Sequence, residues 1–148
     1  MRSTFPDVPR EIDSFRTMLG VQLAVRQALN QRMQSVLEIQ FSHGSALVHL
    51  ARHDTMSCQA LAKSLGCGTS RLSRLAQDLE RRALIVRSRN SQDHRALDLS
   101  LTAPGMRIAE RVPSVVAEAE RVVLMRLSAE ERMFLKRFLQ RILGEIDI

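Results

Sequence analysis

Thr69, Ser70, Arg71, Ser73, Arg74 and Gln77 fall in one short stretch, and helical spacing puts them on the outer side of a single helix. These are donors and acceptors sized for base edges and phosphates. An arginine so placed can bind guanine O6 and N7 with two parallel hydrogen bonds, worth about 1–3 kcal/mol of discrimination. Further along, Arg89, Asp93 and Arg95 cluster at the polar tip of an expected hairpin. An arginine on such a ribbon can enter a narrow A·T minor groove, where the negative potential is enhanced. Asp93 is ill suited to face phosphate, and its expected role is to hold a neighbouring arginine by a charge-assisted pair. Between Lys63 and Arg95 there are eight bases against three acids, which leaves +5 of the chain's net +6. A concentrated basic segment suggests a polyanionic partner. The competing reading is a hairpin of helices with a solvated basic face.

The elements that hold these residues follow from periodicity. Residues 11–36 carry Met18, Val21, Val25, Leu29, Met33 and Val36 at steps of three and four, a long first helix. Ser42 is the expected cap of a second helix over 43–52, with Leu47, Leu50 and Ala51 facing inward; residues 53–56 read as a turn. Ser57 caps a short third helix, Gly66-Cys67-Gly68 breaks it, and Thr69 or Ser70 caps the fourth. A short helix, a tight glycine turn and a second helix with a polar outer face are the parts of a helix-turn-helix. Residues 84–87 and 96–101 then read as two strands around the polar tip. Thr102 caps a fifth helix over 104–125, which Pro113 should kink or divide. Ser128 and Glu131 form a capping box for a last helix to Ile146. The fold class is mainly α with a small β-hairpin wing: a winged helix-turn-helix over 43–101, flanked by terminal helices at 11–36 and 104–146, within one 148-residue domain.

Composition narrows the alternatives. Apolar residues make up 45% of the chain and aromatics 3%, so packed aliphatic helices are expected. No apolar run reaches the roughly 20 residues a bilayer demands, and the first ten residues lack an apolar targeting core; a cytoplasmic protein is expected. Cys58 and Cys67 are expected as thiols, and Cys67, in the turn before the fourth helix, is a candidate for oxidation. His43, His49, His53 and His94 are too scattered for a metal cluster. No phosphate loop, acid pair or nucleophile motif is present, so neither an enzyme nor a cofactor is expected.

The order of motifs resembles the MarR (multiple antibiotic resistance regulator) family. The resemblance covers about Ile39 to Gly105. It rests on residues 47–51 and 57–66, on Ser70-Arg71-Leu72-Ser73-Arg74-Leu75 and on residues 79–85. Asp93-His94-Arg95 looks like the family's Asp-x-Arg wing motif, and residues 99–105 are similar to its Leu-x-Leu-Thr-x-x-Gly signature. Two departures stand out. Ala83 occupies a position where glycine is usual, and Ala96 replaces a second wing arginine.

The resemblance implies a homodimer with interlocked terminal helices, a pseudo-palindromic operator with half-sites about one turn (about 10 bp) apart, and repression released by a small aromatic effector. Arg26, Met33, Phe41 and His43 are the candidates to line an effector crevice. On the sequence side, Val115, Val116, Val122, Val123, Phe134, Phe138 and Ile142 would be hard to cover without a partner. The reading from another class is a winged-helix protein-interaction module without specific DNA binding; a steep fall of DNA affinity with salt separates the two.

Overall fold

The computed structural model describes residues 13–90, 92 and 96–144. The wing-tip residues Asp93, His94 and Arg95, the N-terminal arm and the expected end of the last helix at Ile146 lie outside the described residues. Six helices and three strands run in the order α1 (Asp13–Leu37), α2 (Phe41–Ala51), β1 (Met56–Ser57), α3 (Cys58–Ser64), α4 (Thr69–Arg81), β2 (Ile85–Arg89), β3 (Leu97–Leu101), α5 (Ala103–Val123) and α6 (Ala129–Gly144). The strands form an antiparallel sheet in the order β1-β3-β2, with Met56 opposite Leu99 and Arg87 opposite Leu99 on the other side.

Two compact units divide the chain: residues 29–117, and residues 1–28 with 118–148. The first holds the hydrophobic core. Met33, Ile39, Leu47, Leu50, Leu61, Leu72, Leu79, Ile85 and Leu99 are its largest fully buried side chains. Val115 is buried in that core and Val116 packs against it, so these two valines need no second chain to cover them. The other unit is different. Its described residues expose Phe15, Leu19, Val21, Leu23, Val122, Met125, Met133, Phe138 and Leu143, and Ala119 is its one described residue in the buried core set. Phe134 and Phe138 stack on each other 6.3 Å apart.

The helix ends explain most boundaries. Ser57 Oγ accepts the Ala60 N–H at 3.1 Å, as expected of a cap. Ser128 and Glu131 form the expected capping box: the Ser128 N–H donates to Glu131 Oε2 (2.8 Å) and the Glu131 N–H to Ser128 Oγ (3.2 Å). Elsewhere the caps shift. The second helix starts earlier, at Phe41, with Gln40 as cap and the Phe41 N–H held by Asn30 Oδ1 at 2.9 Å, so Ser42 lies inside the helix. The fourth is capped by Gly68, which puts Thr69 and Ser70 in its first turn. Met56, expected within a turn, and the cap residue Ser57 form β1 by pairing with β3, a contact no local signal announces. Ala51 is exposed, and His43, Gly44 and Ala46 are buried in its place. Pro113 is exposed and does not divide α5.

Three helices end on a left-handed residue: Glu38 (φ 58°), Gly66 (φ 61°) and Ala83 (φ 56°). At Gly66 and Ala83 the pattern is a Schellman motif. The Leu84 N–H donates to Leu79 O and the Ala83 N–H to Glu80 O, both at 2.9 Å. Glycine suits this geometry because it has no Cβ; Ala83 carries a side chain there at a cost of about 1–2 kcal/mol. The adjoining junction is tight. Thr102 Oγ1 donates to Ala83 O (2.7 Å) and accepts from the Gly105 N–H (3.1 Å), and the Thr102 N–H donates to Leu84 O (3.1 Å). A Cβ on Gly105 would lie 2.0 Å from the Leu84 carbonyl oxygen.

Two substitutions test this junction in opposite directions. Ala83→Gly relieves left-handed strain and loosens the unfolded chain, for a net gain of about 0.5–1 kcal/mol. Gly105→Ala forces α5 off the Leu84 carbonyl and costs about 3 kcal/mol or more. Urea unfolding midpoints of the two variants and the parent check both signs.

Candidate nucleic-acid interface

Helix α4 is amphipathic along its length. Leu72, Leu75, Ala76 and Leu79 enter the core, while Thr69, Ser70, Arg71, Ser73, Arg74 and Gln77 are all exposed. The structure therefore gathers the six helix residues singled out by sequence onto the solvent side of one helix. At the start of α4 Gly68 supplies no capping side chain, and no acidic residue occupies the first turn. The positive end of the helix dipole is left open to an anion.

The wing lies after α4 in the same unit. In the β2–β3 ladder Arg87 sits opposite Leu99 and Arg89 opposite Leu97. Alternation puts Ile85, Arg87 and Arg89 on one face of the wing. Arg87 on that face reaches back to α4, with its Nε 3.1 Å from Glu80 Oε2. Arg89, two residues further out and exposed, lies on that same face. Asn90 Nδ2 donates to both carboxylate oxygens of Asp98 (3.0 and 3.2 Å), which fixes the root of the tip.

The basic segment is less uniform than its sequence suggests. Asp78 gathers two arginines and a histidine: Arg81 on Oδ1, with His43 Nε2 (2.8 Å) and Arg82 Nε (3.2 Å) on Oδ2. Arg81, Arg82 and Arg87 are thus engaged within the protein. Lys63, Arg71, Arg74 and Arg89 carry no ion pair with the described residues. Within this basic segment, Arg71 and Arg74 on α4, Arg89 on the wing and Lys63 on α3 stay open to a partner among the described residues.

Sequence reasoning missed Asp78, Glu80, Arg82 and Arg87 as positioning groups, and no local signal marks them. His43 and Asp78 are 35 residues apart and meet only through packing of α2 on α4. The four candidates for an effector crevice divide. Met33 is fully buried in the core, Phe41 is half-buried against it and His43 contacts Asp78. Arg26 is exposed and belongs to the other unit. Cys58 and Cys67 are half-buried free thiols packed against the core.

Comparison with known proteins places the chain. A MarR family model matches residues 37–96. The HTH-type transcriptional repressor MdtR of Bacillus subtilis is 33% identical over 95 residues, covering 60% of this chain and 61% of that repressor. Over this region the chain is similar to the MarR family. A putative transcriptional regulatory protein for the hcr operon of Thauera aromatica is 30% identical over 93 residues, 63% of this chain and 56% of that protein. The matched stretch thus spans less than two thirds of either relative. Among solved structures, a MarR variant from E. coli complexed with operator DNA superposes with a TM-score of 0.80 at 24% identity, covering 93% of this chain and 99% of that one. Staphylococcus aureus MepR, in a DNA complex, gives a TM-score of 0.72 at 26% identity over 90% of this chain and 97% of that one. The fold of this chain is a winged helix-turn-helix.

Two titratable groups at the end of α4 carry a pH signature. Burial holds the His43 imidazole below its ordinary value; Asp78 opposes that shift and Arg82 adds to it. Its Nδ1 is buried with no partner, so a proton there finds no acceptor. The Arg81 hydrogen bond, chiefly, holds the Asp78 carboxyl below its ordinary value. An unfolded imidazole takes up its proton near pH 6.5, before the folded one does. The His43 contribution is therefore complete above about pH 6.5 and is lost as the pH falls below it. The Asp78 contribution persists to lower pH, being complete above about pH 3.9 and lost as the pH falls through its depressed folded value. Urea midpoints should drop between pH 7.5 and 5.5 in the parent and drop less in His43→Gln. Equal drops in both would show that another group governs this range.

Proposed function

We propose that this protein is a transcriptional repressor of the MarR family that binds a pseudo-palindromic operator as a homodimer. Helix α4 lies in the major groove and the wing in the adjacent minor groove. One observation carries this reading: the exposed row of Ser70, Arg71, Ser73, Arg74 and Gln77 has no ion pair among the described residues, with Arg89 on the wing face that clips back to α4. Thr69 and Ser70, in the first helical turn, suit phosphate contact, and Arg71 and Arg74 suit guanine. At the wing tip Arg95 is assigned to the minor groove, with Asp93 holding a neighbouring arginine. The relatives named as repressors and the neighbours solved with DNA support the assignment.

The homodimer is supported by the apolar side chains left exposed on α1, the end of α5 and α6. Soluble monomers rarely leave so extended an apolar surface open. Release by a small aromatic effector belongs to the same proposal; half-buried Phe41 and the unpartnered Nδ1 of His43 are groups it would meet. Among the described residues no helix is long and apolar enough to cross a membrane, and no group of side chains could hold a metal ion.

Selection of purified protein against a random duplex library, at about physiological salt where specific and non-specific binding separate, tests this reading. Enrichment of an inverted repeat is expected. Retained DNA without any motif, or no retained DNA, moves the assignment to an interaction module. On the enriched site, Arg71→Ala should cost about 1–3 kcal/mol and relax the preference at one base position. An unaltered preference would place the reading face elsewhere.

A further inference from the structure

Asp78 stands four residues after Arg74, the spacing at which a carboxylate and an arginine pair along a helix. The pair does not form. Both Asp78 oxygens are taken, Oδ1 by Arg81 and Oδ2 by His43 and Arg82. The Arg82 guanidinium then reaches further. Its Nη1 donates to the Glu38 carbonyl oxygen at 2.9 Å while its Nε faces Asp78. Glu38 is the left-handed residue that ends α1, and the turn it makes presents its carbonyl to Arg82. Three segments of one compact unit thus converge on the C-terminal end of α4: α2 through His43, the α1–α2 turn through Glu38, and α4 itself.

We propose that Asp78 and Arg82 are positioning residues for DNA binding, locking the end of α4 to α2 and to the α1–α2 turn while leaving Arg74 unpaired for the operator. The inference rests on the DNA-binding reading above. A recognition helix touches bases with its N-terminal part, so a small tilt about its far end displaces Ser70 and Arg71 most. The packed leucines hold α4 against the core, but apolar contact is non-directional and tolerates such a tilt. The paired guanidinium and carboxylate are directional and do not. The second consequence is electrostatic. An Asp78 with a vacant oxygen would compete with phosphate for Arg74.

The test separates positioning from bulk charge because the two give opposite signs. Asp78→Asn removes a negative charge from a DNA-binding surface. Charge alone would tighten operator binding; loss of the lock weakens it. Arg82→Lys keeps the charge, but an ammonium lacks the fork that spans Asp78 and the Glu38 carbonyl together. Charge alone would leave affinity unchanged; loss of the lock weakens it. Both variants are titrated against the selected operator at several salt concentrations, at equal folded fraction as judged by urea unfolding. We expect each to lose about tenfold, the scale of couplings carried through packed networks. The slope of affinity against salt should stay as in the parent, because no phosphate contact is removed. The double variant should be no worse than the weaker single one. Binding by Asp78→Asn at parental strength or tighter overturns the proposal. So does a salt slope for Arg82→Lys that falls by about one, which would make Arg82 a phosphate contact. If the parent enriches no motif, the DNA-binding reading fails first, and that result is distinct from either.

Discussion

The carbonyl of Leu84 and the missing side chain of Gly105 hold α4, the wing and α5 in register. The end of α4, the start of β2, the end of β3 and the start of α5 meet within four residues of that contact. Thr102 ties them together: its hydroxyl bridges the Ala83 carbonyl and the Gly105 N–H, and its backbone N–H takes the Leu84 carbonyl. The wing cannot swing away from α4 without breaking this knot, because β2 begins one residue after Leu84. A left-handed Ala83 is needed to turn the chain so sharply from helix into strand. Its conformational cost is carried by the hydrogen bonds on either side. The Glu80–Arg87 pair adds a second tie between helix and wing, on the face that carries Arg89.

Charge on this surface divides into two populations with different work. Arg81, Arg82 and Arg87 satisfy Asp78 and Glu80 and fix geometry. Arg71, Arg74 and Arg89 are exposed and have no such partners among the described residues. An exposed ion pair contributes little to stability, on the order of 0–1 kcal/mol. The pairs around Asp78 are better understood as directional constraints than as a source of stability. A regulator needs both kinds. Unpaired cations give affinity for a polyanion, while paired ones keep the reading face from collapsing onto its own acids.

The parts legible in the sequence were those set by local chemistry. Helical spacing found α1, α3 and α4, the Ser57 and Ser128 caps stood where hydroxyls should, and alternation found β3. The six outer residues of α4 were all legible, because a helix that buries Leu72, Leu75 and Leu79 must turn Ser70, Ser73, Arg74 and Gln77 outward. What escaped depends on contacts distant in sequence. β1 exists only because β3 pairs with it. Phe41 begins α2 because Asn30, eleven residues earlier, holds its N–H. Asp78 is held by His43 of α2 and by Arg82, contacts that no local signal marks. Val115 read as an interface residue and instead fills the core, since period alone does not say which partner an apolar face meets.

The exposed apolar helices bear on specificity as well as on assembly. If α4 reads DNA as proposed, its 13 residues offer only two or three side chains to the bases. At about 1–3 kcal/mol for each well-made base contact, one copy reaches a few kcal/mol of discrimination. Operator binding against a genome of competing sites calls for about 4–10 kcal/mol. Two copies on a symmetric site supply that by doubling the contacts. On the proposed reading, Leu19, Leu23, Met125, Phe138 and Leu143 are therefore part of the recognition apparatus, although none of them lies on α4 or the wing. Their burial against a second chain would convert a helix too short to be selective into half of a reader that is.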